Sequence, residues 1–188
     1  MATSDDDARL ARAAALPAID LPAGGLGRLA PLFQQGLRVR VAAGASIRGF
    51  LVDRLGVAPE YVRERITTVF LDGSVVDDLD AAHLHEGARL ALSAAMPGLV
   101  GATLRKGGYY AAMRAAITLA AEPGAPATDG PVVEVRVKLF NLLIEELGPV
   151  LLAHGFALTP AEAQALLGER AAQLPAGAPD VWLRVVVH

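Results

Sequence analysis

Residues 67–78, TTVFLDGSVVDD, decide how the first half of the chain is read. Asp72-Gly73 can take the positive φ angles that a two-residue turn demands, and short β-prone runs flank it, so the stretch predicts a β-hairpin. Towards the N-terminus, Ser46 stands as a natural N-cap for SIRGFLVDRLG, where Ile47, Phe50, Leu51 and Leu55 recur on one helical face while Arg48 and Asp53 face outward. Gly56 suits the left-handed close of that helix. Pro59 opens a second helical turn, PEYVRERI, with Tyr61, Val62 and Ile66 inward. Before these, GRLAPLFQQG (27–36) and LRVRVAAG (37–44) read as two strands of a hairpin around Gln34, Gln35 and Gly36. Beyond the hairpin, an acidic loop and a turn at Glu86-Gly87 lead into ARLALSA (88–94), a strand apolar enough for the middle of a sheet.

The remainder is read in the same way. YYAAMRAAITLAA (109–121) places Tyr110, Met113 and Ile117 at helical spacing, and EPGAPATDGP (122–131) is a linker of Pro, Gly and small residues. In PVVEVRVKLF (131–140), Val133, Val135, Val137 and Leu139 alternate with Glu134, Arg136 and Lys138, the period-two pattern of a half-buried strand. NLLIEELGPVLLAHG (141–155) reads as a helix capped by Asn141, which Gly148-Pro149 must kink or split. Thr159, Pro160 and Glu162 form a capping box that starts a helix over 159–174. The closing DVWLRVVVH (180–188) is a strand, expected to partner 132–140. At the other end, Ser4 could cap a short helix over 4–16, followed by a linker at Pro17, Pro22, Gly24, Gly25 and Gly27, with folded structure from near Leu26.

Composition bounds the function. The chain has 188 residues, 53% hydrophobic and 20% charged, with a formal charge of -3. That length can bury a core without staples. With no cysteine, disulfide frameworks, zinc ribbons, iron-sulfur clusters and thiol nucleophiles are excluded. Mild acidity argues against a dedicated nucleic-acid binder. MATSDDDARL carries acid where a secretory signal carries positive charge, which suggests a cytoplasmic protein, and no membrane span is expected because AAMPGLVGATL (94–104) is short and broken by Pro97, Gly98 and Gly101.

VAAGASIRGFLVDRLG, VFLDGSVVDD and LHEGARLALSAAMPG together resemble the β-grasp, ubiquitin-like sulfur carriers of thiamine and molybdopterin biosynthesis, over about residues 37–99. The resemblance implies a β-grasp fold there, and with the residue patterns the expected architecture is α+β: an N-terminal arm or short helix with linker (1–26), a β-grasp domain with a following helix (27–121), a linker (122–131), and a small strand-helix-helix-strand extension (132–188) that packs on or extends the sheet. In that family the last strand runs into a tail ending in Gly-Gly, whose carboxylate is adenylated and then thiolated. Here the matching positions are Gly98-Leu99 and the chain continues, so the intact chain lacks the reacting group. A second candidate tail is TLRKGG (103–108): cleavage after Gly108 would expose a Gly107-Gly108 end, while the structural alternative is a Gly-Gly turn before the helix at 109–121.

Between Glu86 and Glu122 there is no acidic residue, while Arg89, Arg105, Lys106 and Arg114 supply positive charge. These residues are a candidate basic surface for an acidic protein partner, or for a small anion held by backbone amides. The stretch lacks the lysine and hydroxyl of a phosphate-binding loop. His83 and His85 alternate but lack a third local ligand, Asp77, Asp78 and Asp80 lack the remainder of a calcium loop, and Ser46 and Ser93 have no His-acid pair, so neither metal, cofactor nor catalytic residue is assigned. The expectation is a non-catalytic ubiquitin-like interaction or assembly module that self-associates or docks to a larger protein. The alternative is a sulfur-carrier or modifier precursor, cleaved after an internal Gly-Gly and met by an adenylating activating enzyme.

Overall fold

The computed structural model describes residues 16–96, 98–109, 114, 117–119, 130–168 and 180–188. The helix expected at 4–16 lies outside these residues except for its last position, as do most of the helix at 109–121, the body of the 122–131 linker and the end of the helix at 159–174.

An alternation of apolar and polar residues at period two recurs in most strands and gives one sheet with one buried face. In chain order the strands are β1 (Ala18–Leu21), β2 (Leu37–Ala42), β3 (Thr68–Leu71), β4 (Ser74–Val75), β5 (Arg89–Ser93), β6 (Val132–Phe140), β7 (Phe156–Leu158) and β8 (Val181–Val187). They form a mixed eight-stranded sheet in the order β1-β8-β7-β2-β6-β5-β3-β4. The β5–β6 and β1–β8 pairs are parallel and the others antiparallel. The molecule is therefore α+β, and the sheet passes through the boundary expected at 122–131: β6 sits between β2 and β5, while β7, β8 and β1 extend the sheet past β2.

The hairpin at 68–75 forms as the sequence predicts, with Asp72 at φ 52 and Gly73 at φ 88 in its turn. Ser46 caps the helix after it by accepting the Gly49 N–H at 3.0 Å. That helix starts as α2 (Ile47–Gly49) and widens into a π turn over Phe50–Arg54, burying Ile47, Phe50 and Leu51. Helix α3 (Pro59–Glu64) buries Val62. Helix α4 (Gly98–Leu104) leads out of β5. Helix α5 (Leu143–His154) runs with Pro149 inside it, and α6 (Pro160–Leu167) begins with the full Thr159–Glu162 capping box.

Several expectations are corrected. Residues 27–36 do not make a strand: a 3₁₀ helix at Ala23–Leu29 continues into α1 (Ala30–Gln35), which Pro31 favours at its first turn, and Leu29 of the first and Phe33 of the second are both buried. The final strand does not pair with β6, because both edges of β6 are taken by β2 and β5; β8 pairs with β7 and β1 instead. A short strand, β7, also separates the two helices of the C-terminal part, and residues 18–21, expected to be linker, form the edge strand β1. Asn141 has φ 56, and Leu142 occupies the N-cap position of α5.

One continuous core results. Leu37, Val39 and Val41 of β2, Val135, Val137 and Leu139 of β6, Leu90 and Leu92 of β5 and Leu183 and Val185 of β8 are all buried, with Phe33, Phe50, Leu147 and Leu151 in the same cluster. The odd-numbered residues of β2, β6 and β8 thus face helices. The even-numbered ones face the other way.

Candidate functional site

The other side of the sheet carries charge. In β2 the residues that alternate with the core are Arg38 and Arg40, in β6 they are Glu134, Arg136 and Lys138, in β5 Arg89 and Ala91, and in β8 Trp182 and Arg184. Register brings three of them into one row running across the strands, Arg89 opposite Arg136 and Arg136 opposite Arg38, continued by Ala157 and Trp182. Neighbouring strands lie about 4.8 Å apart. Like charges set directly opposite one another in a sheet are destabilising.

Its flanks are partly neutralised. The Arg38 guanidinium donates to both Asp180 oxygens, one bond at 2.9 Å, and lies 3.8 Å from Glu134. Its hydrogen bond to Asp180 raises the Arg38 pKa and holds the Asp180 carboxyl below its ordinary range. Arg89, 67% exposed, stands 3.9 Å from Asp72. Arg40 stacks on Trp182 at 3.8 Å from the ring centroid. Arg136, at the centre, is exposed and has no ion pair among the described residues, and neither has Lys138. Gly36 lies beside them, where a Cβ would come within 2.5 Å of the Arg136 stem, so the two long side chains cross a strand end that has no side chain of its own.

The four cations singled out from the sequence do not form one surface. Arg89 belongs to the row. Arg114 is 4% exposed and internal: it binds both oxygens of Asp77 at 2.9 and 2.7 Å, the Thr103 and Arg105 carbonyls and the Thr118 hydroxyl. The Arg114 guanidinium, aided by the Gly107 N–H, holds the Asp77 carboxyl below the usual range. Lys106 donates its Nζ to the Val62 carbonyl at 3.1 Å, and burial lowers its pKa. Arg105 supplies a carbonyl to Arg114. Arg38, Arg40, Arg136 and Lys138 were missed as a group, although RVR at 38–40 and RVK at 136–138 already place each pair on one strand face.

Gly107 and Gly108 form a turn, fastened by Gly107 N–H to Asp77 at 2.9 Å, Gly108 N–H to Arg105 at 3.0 Å and Lys106 N–H to Thr67 at 2.7 Å. Gly98 opens α4 at φ 74. His83 has its Nδ1 3.0 Å from the Gly44 carbonyl, and His85 pairs with Asp72 at 2.9 Å. Among the described residues no group of three His, Asp or Glu side chains could hold a metal ion, and no helix is long and apolar enough to cross a membrane. A groove between β1, β8 and α6 is lined by Ile19, Asp20, Leu21, Leu166 and Val185, and Asp20 pairs with the exposed His188 at 2.8 Å. Exposed Leu99, Val100, Phe140 and Leu142 lie on the segments leaving the far ends of β5 and β6. No protein-family model matches the chain, and neither a curated protein nor a solved structure matches it.

Proposed function

We propose that the protein is a non-catalytic, ubiquitin-like interaction or assembly module that docks a protein partner on the open face of its sheet. The observation that carries this reading is the Arg89–Arg136–Arg38 row: cross-strand cations that cost stability, with Arg136 lacking a counter-charge among the described residues.

The β-grasp assignment is supported by the order β2-β6-β5-β3-β4. A β-grasp sheet has a central parallel pair, an antiparallel strand beside it, a helix across one face and a short hairpin at the far edge. On this reading β6 takes the place of the strand that comes first in β-grasp proteins, and the unit is a permuted one in which that strand arrives last. The alternative, a carrier released by cleavage after Gly108, gains no support from a diglycine turn fastened by three backbone donors.

The test is affinity purification from source cells with the intact chain as bait, beside an R136E/K138E bait and a control, R63E, altered on the exposed surface of α3. Proteins recovered by the intact chain and R63E but lost with R136E/K138E are expected. Equal recovery by all three baits would remove the face from the function.

A further inference from the structure

We infer that the occupant of this face is an acidic α-helix of the partner protein, laid across the strands so that one file of carboxylates follows Arg89, Arg136 and Arg38. The inference rests on the interaction-module reading and adds the chemistry and shape of the partner.

Spacing selects a helix. Two strand-to-strand steps separate Arg89 from Arg38, about 10 Å. Side chains three and four apart on a helix have Cβ atoms about 5–6 Å apart, so two steps cover about 10–12 Å. An extended peptide presents one face every second residue and needs about 13 Å for the same two steps. Beside the row, Ala91 stands opposite Lys138, with Phe70 beyond it, while the Arg136 and Lys138 stems lie over Gly36. The short Ala91 side chain admits a helix flank, and the long cations provide the charge.

Charge selects a short anion over a long one. Asp72 lies at one end of the row and Asp180 at the other. A continuous phosphate backbone running past either end would meet a carboxylate, in a chain whose formal charge is already -3. A helix face carries its carboxylates at separate points and ends with the row, so it meets Arg89, Arg136 and Arg38 without continuing past Asp72 and Asp180.

The experiment uses the full-length protein and three fluorescein-labelled probes of equal net charge. One is a helix-forming peptide with Glu at i, i+4 and i+7. The second holds the same residues permuted so that Glu alternates, and the third is an oligothymidylate. Anisotropy at low and physiological salt should show the helical peptide binding about tenfold more tightly than the permuted one. R136E should weaken that binding by at least about tenfold, and added salt should weaken it further. R136Q keeps the side-chain stem and should also lose affinity, which separates lost charge from misfolding; thermal melts of both variants check the fold. Equal, Arg136-dependent binding of both peptides would overturn the helix and leave the interaction reading standing. Tighter, Arg136-dependent binding of the oligothymidylate would overturn both. If no probe binds in an Arg136-dependent way, the acidic-helix inference falls, and the comparison of baits alone decides the broader reading.

Discussion

Removing the Asp77 carboxylate should unfasten the crossover from the sheet edge while sparing the core. Arg114 is 4% exposed, and Asp77 is its ion-pair partner. Breaking a buried pair from one side costs about 3–5 kcal/mol, because a desolvated charge is left behind. Asp77 is itself 34% exposed, and Arg114 keeps two carbonyls and a hydroxyl, so the lower end, about 3 kcal/mol, applies to Asp77→Ala. Two backbone bonds report on the attachment: Lys106 N–H to Thr67 at 2.7 Å and Leu119 N–H to Val75 at 2.8 Å. Since about 1.4 kcal/mol is tenfold, native-state hydrogen exchange should show a loss of protection of about a hundredfold at these two amides, with those of β5 and β6 much less affected. D77A/R114M should recover part of the loss, because an apolar replacement removes the orphaned charge as well. Asp80→Ala breaks only the exposed Arg48 pair, 42% and 62% exposed, and should stay within about 1 kcal/mol of wild type. Unchanged protection at Lys106 and Leu119 in D77A, or a double variant worse than D77A, would refute this account of the clasp.

Other outcomes follow from single contacts. Gly73 holds φ 88 with open space where a Cβ would stand, so Gly73→Ala should cost about 1–2 kcal/mol by urea denaturation through backbone conformation alone. Glu146 accepts from the Arg65 guanidinium and, at 2.5 Å, from the Tyr61 hydroxyl, joining the end of α3 to α5. The Arg65 bond first, and the Tyr61 bond second, bring its pKa from 4.5 to about 2. A depressed carboxylate stabilises the fold fully above its unfolded pKa and loses that contribution as pH falls through the folded one. Melting temperature should therefore drop from about pH 4.5 towards 2, and Glu146→Gln should flatten that arm and converge with wild type at its acid end.

What the sequence made legible was local. Asp72-Gly73, the Ser46 cap, the Thr159–Glu162 box and the valine alternation of 133–139 each state their structure through contacts within a few residues. The run 27–36 failed because a short apolar stretch serves a strand or a helix equally, and the deciding signal, Pro31 ahead of Phe33 and Gly36, was passed over for the hairpin pattern. Beyond the β3–β4 hairpin, strand order was not legible. Nothing within 132–140 says that its edges will be filled by residues 37–42 and 89–93, since register is fixed by burial of a shared face. The same blindness hid the candidate site: Arg38, Arg89 and Arg136 are far apart in the chain and meet only because three strands agree in register.

Inserting β6 between two strands that precede it in the chain also sets an order of events during synthesis. Until residue 140 has been made, β5 presents an unpaired edge and β2, whose neighbours are β6 and β7, has no strand partner. Joining them requires closure across the long stretch between β5 and β6, a non-local step that slows folding and prolongs exposure of apolar strand edges. A nascent chain paused before Val132 is accordingly the most aggregation-prone form of this protein, and the one for which a chaperone would matter most.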